Sequence, residues 1–178
     1  IYLPGVFSKP DEIVELATAV TPYDGIYASH MRYENSRIYE ALEEVFRVAR
    51  EAKLRVEVSH IKLGGEKAWG QAEKVLACIE QARAEGLDIT QDQYAYTASS
   101  TTMRQLIPDD VFDGGRKKFL ELLADPVAKA KLAARMKEKI RARGREDYAY
   151  AVIASYQHDK SLNGLNIVEA TKQVRGSV

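Results

Sequence analysis

A chain of 178 residues, 46% apolar and 29% charged, has the makeup of one ordinary globular domain. Its formal net charge of zero gives no whole-molecule attraction to nucleic acid or an anionic membrane, and no apolar run approaches the roughly 20 residues of a bilayer span. The single cysteine, Cys78, rules out an intramolecular disulfide and fits a reducing, cytoplasmic setting; it lies among helix formers, where a core thiol is expected.

Residues 1–7 carry neither the basic flank nor the apolar stretch of a signal peptide, and the chain opens without methionine, so it reads as an internal segment. Over residues 11–21, Ile13, Leu16, Ala17 and Val20 recur at helical spacing behind Pro10 and Asp11 as start signals. Gly25 then opens GIYASHMR, a short apolar run that ends in polar groups. Ser36 is placed to cap a helix through residue 53, with Ile38, Leu42, Val45, Val48 and Ala49 as its buried stripe. RVEVSHIK alternates like a strand, a helix over 69–85 is stopped by Gly86, and LDITQDQYAY reads as a third strand. Strands and helices that alternate with short connections predict a parallel sheet, and the α/β fold class. A repeat of about thirty residues suits either a (β/α) barrel or a doubly wound sheet. No glycine-rich phosphate loop follows any of these strands, which counts against nucleotide binding.

The pattern changes after Tyr96. A loop broken by Pro108, Gly114 and Gly115 leads into residues 116–143, which are helical and basic. A polyanion-binding surface and a solvated helical face are the two readings of that charge; Phe119 apart, no aromatic residue is interleaved with the charges to stack on bases. AYAVIAS at 149–155 predicts a strand, and NIVEATKQV a final helix.

His30 and His60 occupy equivalent places, ASHMR closing one strand and VSHIK the next. In parallel α/β folds the carboxyl ends of the strands are where sites are built, and two adjacent imidazoles there are candidate ligands of one metal ion. A hydrogen-bonded structural histidine is the plainer alternative for each. Arg32 and Lys62 lie two residues beyond the histidines, where alternation directs each toward its histidine's side. A cation beside a metal suits an anionic substrate such as a carboxylate; a salt bridge at the rim is the plainer reading. Tyr94 and Tyr96 end the third strand on the same face, while His158 has no partner at useful spacing.

GIYASHMRYE, the long run from VSHIKLGGEKAWG to DQYAYTASST, and the later YAVIASY and SLNGLNIVEA together resemble the N-acyl-D-amino-acid deacylases of the amidohydrolase superfamily. The resemblance runs along nearly the whole chain and is most specific over residues 60–101. It implies an α/β fold, part of a distorted (β/α)8 TIM-type barrel with a helical insertion. Residues 1–96 would be barrel βα units (about strands four to seven), 97–147 the insertion, and 148–178 a truncated return to the barrel. It implies zinc as cofactor and hydrolysis of an N-acyl-D-amino acid, a small-molecule partner, to a D-amino acid and a carboxylate. By the same resemblance His30 and His60 are metal ligands, Lys62 and Tyr94 hold the substrate's α-carboxylate, and Arg104 lies in the loop that meets its side chain. The family's early His-x-His pair, its bridging cysteine and its late general-base Asp have no counterpart here, so an inactive isolated segment is expected. Another amidohydrolase acting on cyclic amides, and a non-catalytic module binding a polyanion through the basic helices, are the alternatives.

Overall fold

The computed structural model describes residues 1–2 and 5–176 and divides the chain into two compact units that meet between Tyr96 and Thr97. In the first unit, helix α1 (Pro10–Thr18) precedes β1 (Ile26–Ser29), α2 (Ile38–Ala52), β2 (Arg55–Val58), α3 (Ala72–Ala84) and β3 (Ile89–Gln91). The strands form one parallel sheet in the order β1-β2-β3, each pair joined through a helix, as parallel neighbours require.

The register aligns Tyr27 with Val56 and Ile89, and Ser29 with Val58 and Gln91, so these side chains share one face of the sheet. That face joins the core: Val56, Val58 and Ile89 are buried in one cluster with Leu42, Val45, Val48 and Ala49 of α2 and Val75 and Ile79 of α3. Leu42 and Val58 are 0% exposed, and complete burial of such a side chain contributes about 1.5–3 kcal/mol. The opposite face carries Ile26, Arg55 and Thr90, all exposed.

Local chemistry sets the helix ends. After α3, Gly86 takes a φ of 94°. Its N–H donates to the Arg83 carbonyl and that of Leu87 to the Ala82 carbonyl, a Schellman closure that glycine makes without a Cβ penalty. At the start of α2 the expected cap differs: Ser36 makes no capping bond, and Asn35 Oδ1 instead accepts from the Arg37 N–H at 2.9 Å. Asn at that place satisfies an orphan donor one residue earlier than the sequence suggests.

The second unit contains α4 (Gly115–Ala124), α5 (Pro126–Ala142) and α6 (Ile167–Arg175). The basic stretch is thus two helices: Asp125 breaks it and caps α5 by accepting from the Val127 and Ala128 N–H groups, with Pro126 at the first helical position. Asn166 and Glu169 form a reciprocal capping box at α6. The strand expected at 149–155 does not form. Among the described residues Val152 makes only an isolated antiparallel bridge to Asn166, and it stays 61% exposed. Backbone bonds do tie the run to 164–167, from Ile153 N–H to the Leu165 carbonyl, Gly164 N–H to the Ile153 carbonyl and Ile167 N–H to the Ala151 carbonyl, but the pairing is too short to make a strand. No helix among the described residues is long and apolar enough to cross a membrane.

Candidate metal centre

Ser29 and Val58 are register partners, so the chain leaves β1 and β2 side by side at the carboxyl end of the sheet. His30 follows β1 directly, whereas His60 lies one residue further beyond β2. His60 has a left-handed backbone, φ 42°, in which its N–H donates to Asp92 Oδ1 at 2.6 Å. The next N–H, that of Ile61, donates to the Asp92 carbonyl at 2.9 Å. Histidine is among the residues that tolerate this conformation, which costs about 1–3 kcal/mol and persists where neighbours hold it.

The two imidazoles converge. His30 Nδ1 and His60 Nε2 are 2.9 Å apart, with the rings edge-on at a centroid distance of 4.7 Å. Tyr2 stacks on the His30 ring at 4.1 Å. Glu34 joins them: its Oε1 lies 3.1 Å from His60 Nδ1 and 3.8 Å from His30 Nδ1. Lys62 completes the cluster, its Nζ 2.5 Å from Glu34 Oε1, 2.8 Å from His60 Nδ1 and 3.0 Å from the His60 carbonyl oxygen. Among the described residues, His30, Glu34 and His60 are the three metal-capable side chains that gather in this way. Burial, reinforced by His60 and Lys62, lowers the His30 imidazole from its ordinary 6.5 to about 4. It is therefore neutral at neutral pH, the form a metal requires.

These donors fit a zinc-like ion. Nitrogen ligands at about 2.0–2.1 Å in a tetrahedron stand about 3.3 Å apart, and opening the 2.9 Å pair by a few tenths of an ångström meets that. Two imidazoles leave coordination positions for groups outside this pair.

The remaining predicted residues fall out differently. Tyr94 lies beyond the third strand, which stops at Gln91 instead of running through Tyr96. It still reaches the cluster, with Lys62 Nζ 5.8 Å from its ring centroid, within cation–π range. Tyr96 is 81% exposed. Arg32 does not join the histidines. Its guanidinium pairs with Glu44 at 2.9 Å and donates to the Val6 and Ser8 carbonyls, so the salt-bridge reading holds. Arg104 belongs to the second unit, where its guanidinium lies over the Phe112 ring at 4.1 Å. His158, in the same unit, meets the Tyr156 ring edge-on at 5.4 Å. Cys78 packs against the core from α3, and burial raises its thiol pKa.

Sequence reasoning missed Glu34 and Asp92. The signal for Glu34 was the spacing His30-x-x-x-Glu34 inside GIYASHMRYE, which places a carboxylate four residues past a candidate ligand. Asp92 was hidden inside a strand drawn too long.

No family model matches the chain. A D-aminoacylase of Alcaligenes xylosoxydans xylosoxydans is 39% identical over 115 residues, 65% of this chain and 23% of its own length. A crystal structure of D-aminoacylase, described as defining a novel subset of amidohydrolases, superposes on 99% of this chain and 29% of its own. Its TM-score is 0.66 at 26% sequence identity. The N-acyl-D-glutamate deacylase of Bordetella bronchiseptica, solved with zinc and a phosphonate inhibitor, covers 53% of this chain and 20% of its own, at TM-score 0.51 and 32% identity. The chain thus spans less than a third of the length of each of these relatives.

Proposed function

We propose, on the premise that this chain is a homologue of D-aminoacylase and N-acyl-D-glutamate deacylase, that it contributes two metal ligands and a carboxylate-binding lysine to a zinc-dependent hydrolase of N-acyl-D-amino acids. The observation that carries this reading is the meeting of His30 Nδ1 and His60 Nε2 at 2.9 Å, with Lys62 Nζ beside His60. In the proposed architecture residues 1–96 are βα units of a distorted (β/α)8 barrel, 97–147 are an insertion and 148–178 return to the barrel. The setting is cytoplasmic, which a single unpaired cysteine supports.

Zinc bound at this pair would supply Lewis acidity toward an amide carbonyl and a more acidic water. His30 and His60 bring one ring nitrogen each to the same place because successive parallel strands deliver them to the same sheet end. Lys62 donates to the substrate's α-carboxylate, and the Tyr94 ring beneath the ammonium confines it. The residue that moves the proton onto the leaving amine is assigned outside this segment, so the segment alone is inactive. The deciding experiment offers N-acetyl-D- and N-acetyl-L-amino acids to the intact protein, before and after zinc removal. Chelator-sensitive hydrolysis confined to the D series is expected; activity that survives chelation, or equal use of both series, would reject the reading.

A further inference from the structure

Glu34 is the charged side chain of the cluster that the proposed chemistry leaves without a task, and its neighbours define one. The side chain is only 16% exposed, and its Oε1 touches both Lys62 Nζ, at 2.5 Å, and His60 Nδ1, at 3.1 Å. His60 presents its two ring nitrogens to different partners: Nδ1 to Glu34 and Lys62, Nε2 to His30 Nδ1.

A neutral imidazole carries one proton, and its position decides what His60 can bind. With the proton on Nε2, that nitrogen donates to His30 Nδ1 and is closed to a cation, while Nδ1 accepts from Lys62 at 2.8 Å. With the proton on Nδ1, the Nε2 lone pair faces His30 Nδ1 and both imidazoles can serve one cation, while Lys62 Nζ, now 2.8 Å from a donor, must draw away from the ring and keep its bond to Glu34 Oε1. The second state needs an acceptor for the Nδ1 proton. The Lys62 ammonium has no lone pair to offer. Glu34 Oε1 is the acceptor within reach.

We propose that Glu34 is a positioning residue, not a metal ligand: it accepts the Nδ1 proton of His60, turns the Nε2 lone pair toward His30, and takes a Lys62 N–H in exchange. This rests on the reading of the histidine pair as a metal site. Glu34 Oε1 is nearer to His60 Nδ1, at 3.1 Å, and Lys62 Nζ, at 2.5 Å, than to His30 Nδ1, at 3.8 Å, so its present bonds are to the ring's far nitrogen and the ammonium. Because one oxygen serves both His60 and Lys62, Glu34 ties the metal-ready tautomer to the placement of the ammonium. Partners of this kind around metal-bound histidines are worth about 10–100-fold in metal affinity.

The test measures zinc affinity of the intact protein by chelator competition for wild type, Glu34→Ala and His30→Ala, with thermal unfolding as the control for folding. Cobalt(II) absorption reports the ligand set, and imidazole nitrogen NMR of the zinc-loaded wild type reports the His60 proton. Expected are a loss of about 10–100-fold in Glu34→Ala, unchanged cobalt band positions, and a proton on Nδ1. If His30→Ala loses zinc while Glu34→Ala binds like wild type, the metal reading stands and this inference falls. If neither variant changes zinc binding, the metal reading falls and takes this inference with it. A shifted cobalt spectrum in Glu34→Ala makes Glu34 a ligand and overturns the proposal. Should Glu34→Ala not fold, the wild-type spectrum decides, and a proton on Nε2 overturns it.

Discussion

The backbone N–H of His60 donates to Asp92 Oδ1 at 2.6 Å, from a φ of 42° that a histidine adopts only when something holds it. Asp92 follows β3 directly, so the third strand fixes the residue that presents the second imidazole. Asp92→Ala removes the acceptor, and at this exposed position the loss should be about 1 kcal/mol. For a unit of this size that lowers the unfolding temperature by roughly 4–8 °C. Zinc affinity should fall with it, because His60 no longer has one backbone conformation. Asp92→Asn keeps the acceptor and should retain most of both. Thermal unfolding and chelator competition check this; an Asp92→Ala protein with wild-type zinc affinity would separate the backbone anchor from the site.

The histidines divide by position. His60→Ala and His30→Ala should each remove most bound zinc and most activity from the intact protein, since each supplies a ligand on the proposed reading. His158→Ala should change neither, because that ring meets only the edge of Tyr156 among the aromatic rings and sits in the other unit. Metal analysis of the three purified variants is the measurement. Equal losses in all three would undo the assignment of His30 and His60.

Both histidines were legible because each stands at a strand's carboxyl end in the same Ser-His context, and hydrophobic alternation located those ends. Glu34 was not, because a loop has no periodicity that says where a side chain returns. Arg32 and Lys62 share one offset from their histidines yet diverge, since α2 supplies Arg32 with Glu44 while Lys62 finds Glu34. Alternation also outlived the ladder: DITQDQYAY keeps its pattern to Tyr96, but strand pairing ends at Gln91, and Asp92 makes the last backbone bonds across it, to the Val58 carbonyl and from the Ile61 N–H. AYAVIAS erred similarly, because strand propensity says nothing of whether a neighbouring strand exists.

Arg32 and Glu44 are 10% and 11% exposed, and Arg32 also closes the Val6 and Ser8 carbonyls. Removing one charge from such a pair strands the other, at a cost of roughly 3 kcal/mol or more. Glu44→Ala should show this in urea unfolding, with little effect on zinc affinity because the bonds of this pair go to each other and to the Val6 and Ser8 carbonyls and not to the histidines. Replacing both residues, as Arg32→Met with Glu44→Leu, should restore much of the loss. A Glu44→Ala cost below about 1 kcal/mol would mean the pair behaves as a solvated surface bridge.

Lys62 carries the substrate half of the proposal, and its surroundings make the expectation sharp. Its ammonium is 24% exposed, held by Glu34 Oε1 and the His60 carbonyl, with the Tyr94 ring 5.8 Å away. A carboxylate that enters this partly desolvated place gains a charge-assisted hydrogen bond worth about 1.5–3 kcal/mol. Lys62→Met should therefore lower kcat/KM for a free-acid N-acetyl-D-amino acid by roughly ten- to a hundredfold, since about 1.4 kcal/mol is a factor of ten. For the same substrate with its carboxylate amidated, the loss should shrink sharply, because that molecule never drew on the contact. Lys62 also touches Glu34 and His60, so zinc content must be matched between the two proteins before the comparison. With metal equal, a cost that is the same for acid and amide would make Lys62 a structural partner of Glu34 and remove it from substrate binding. A cost confined to the acid assigns the α-carboxylate to this lysine.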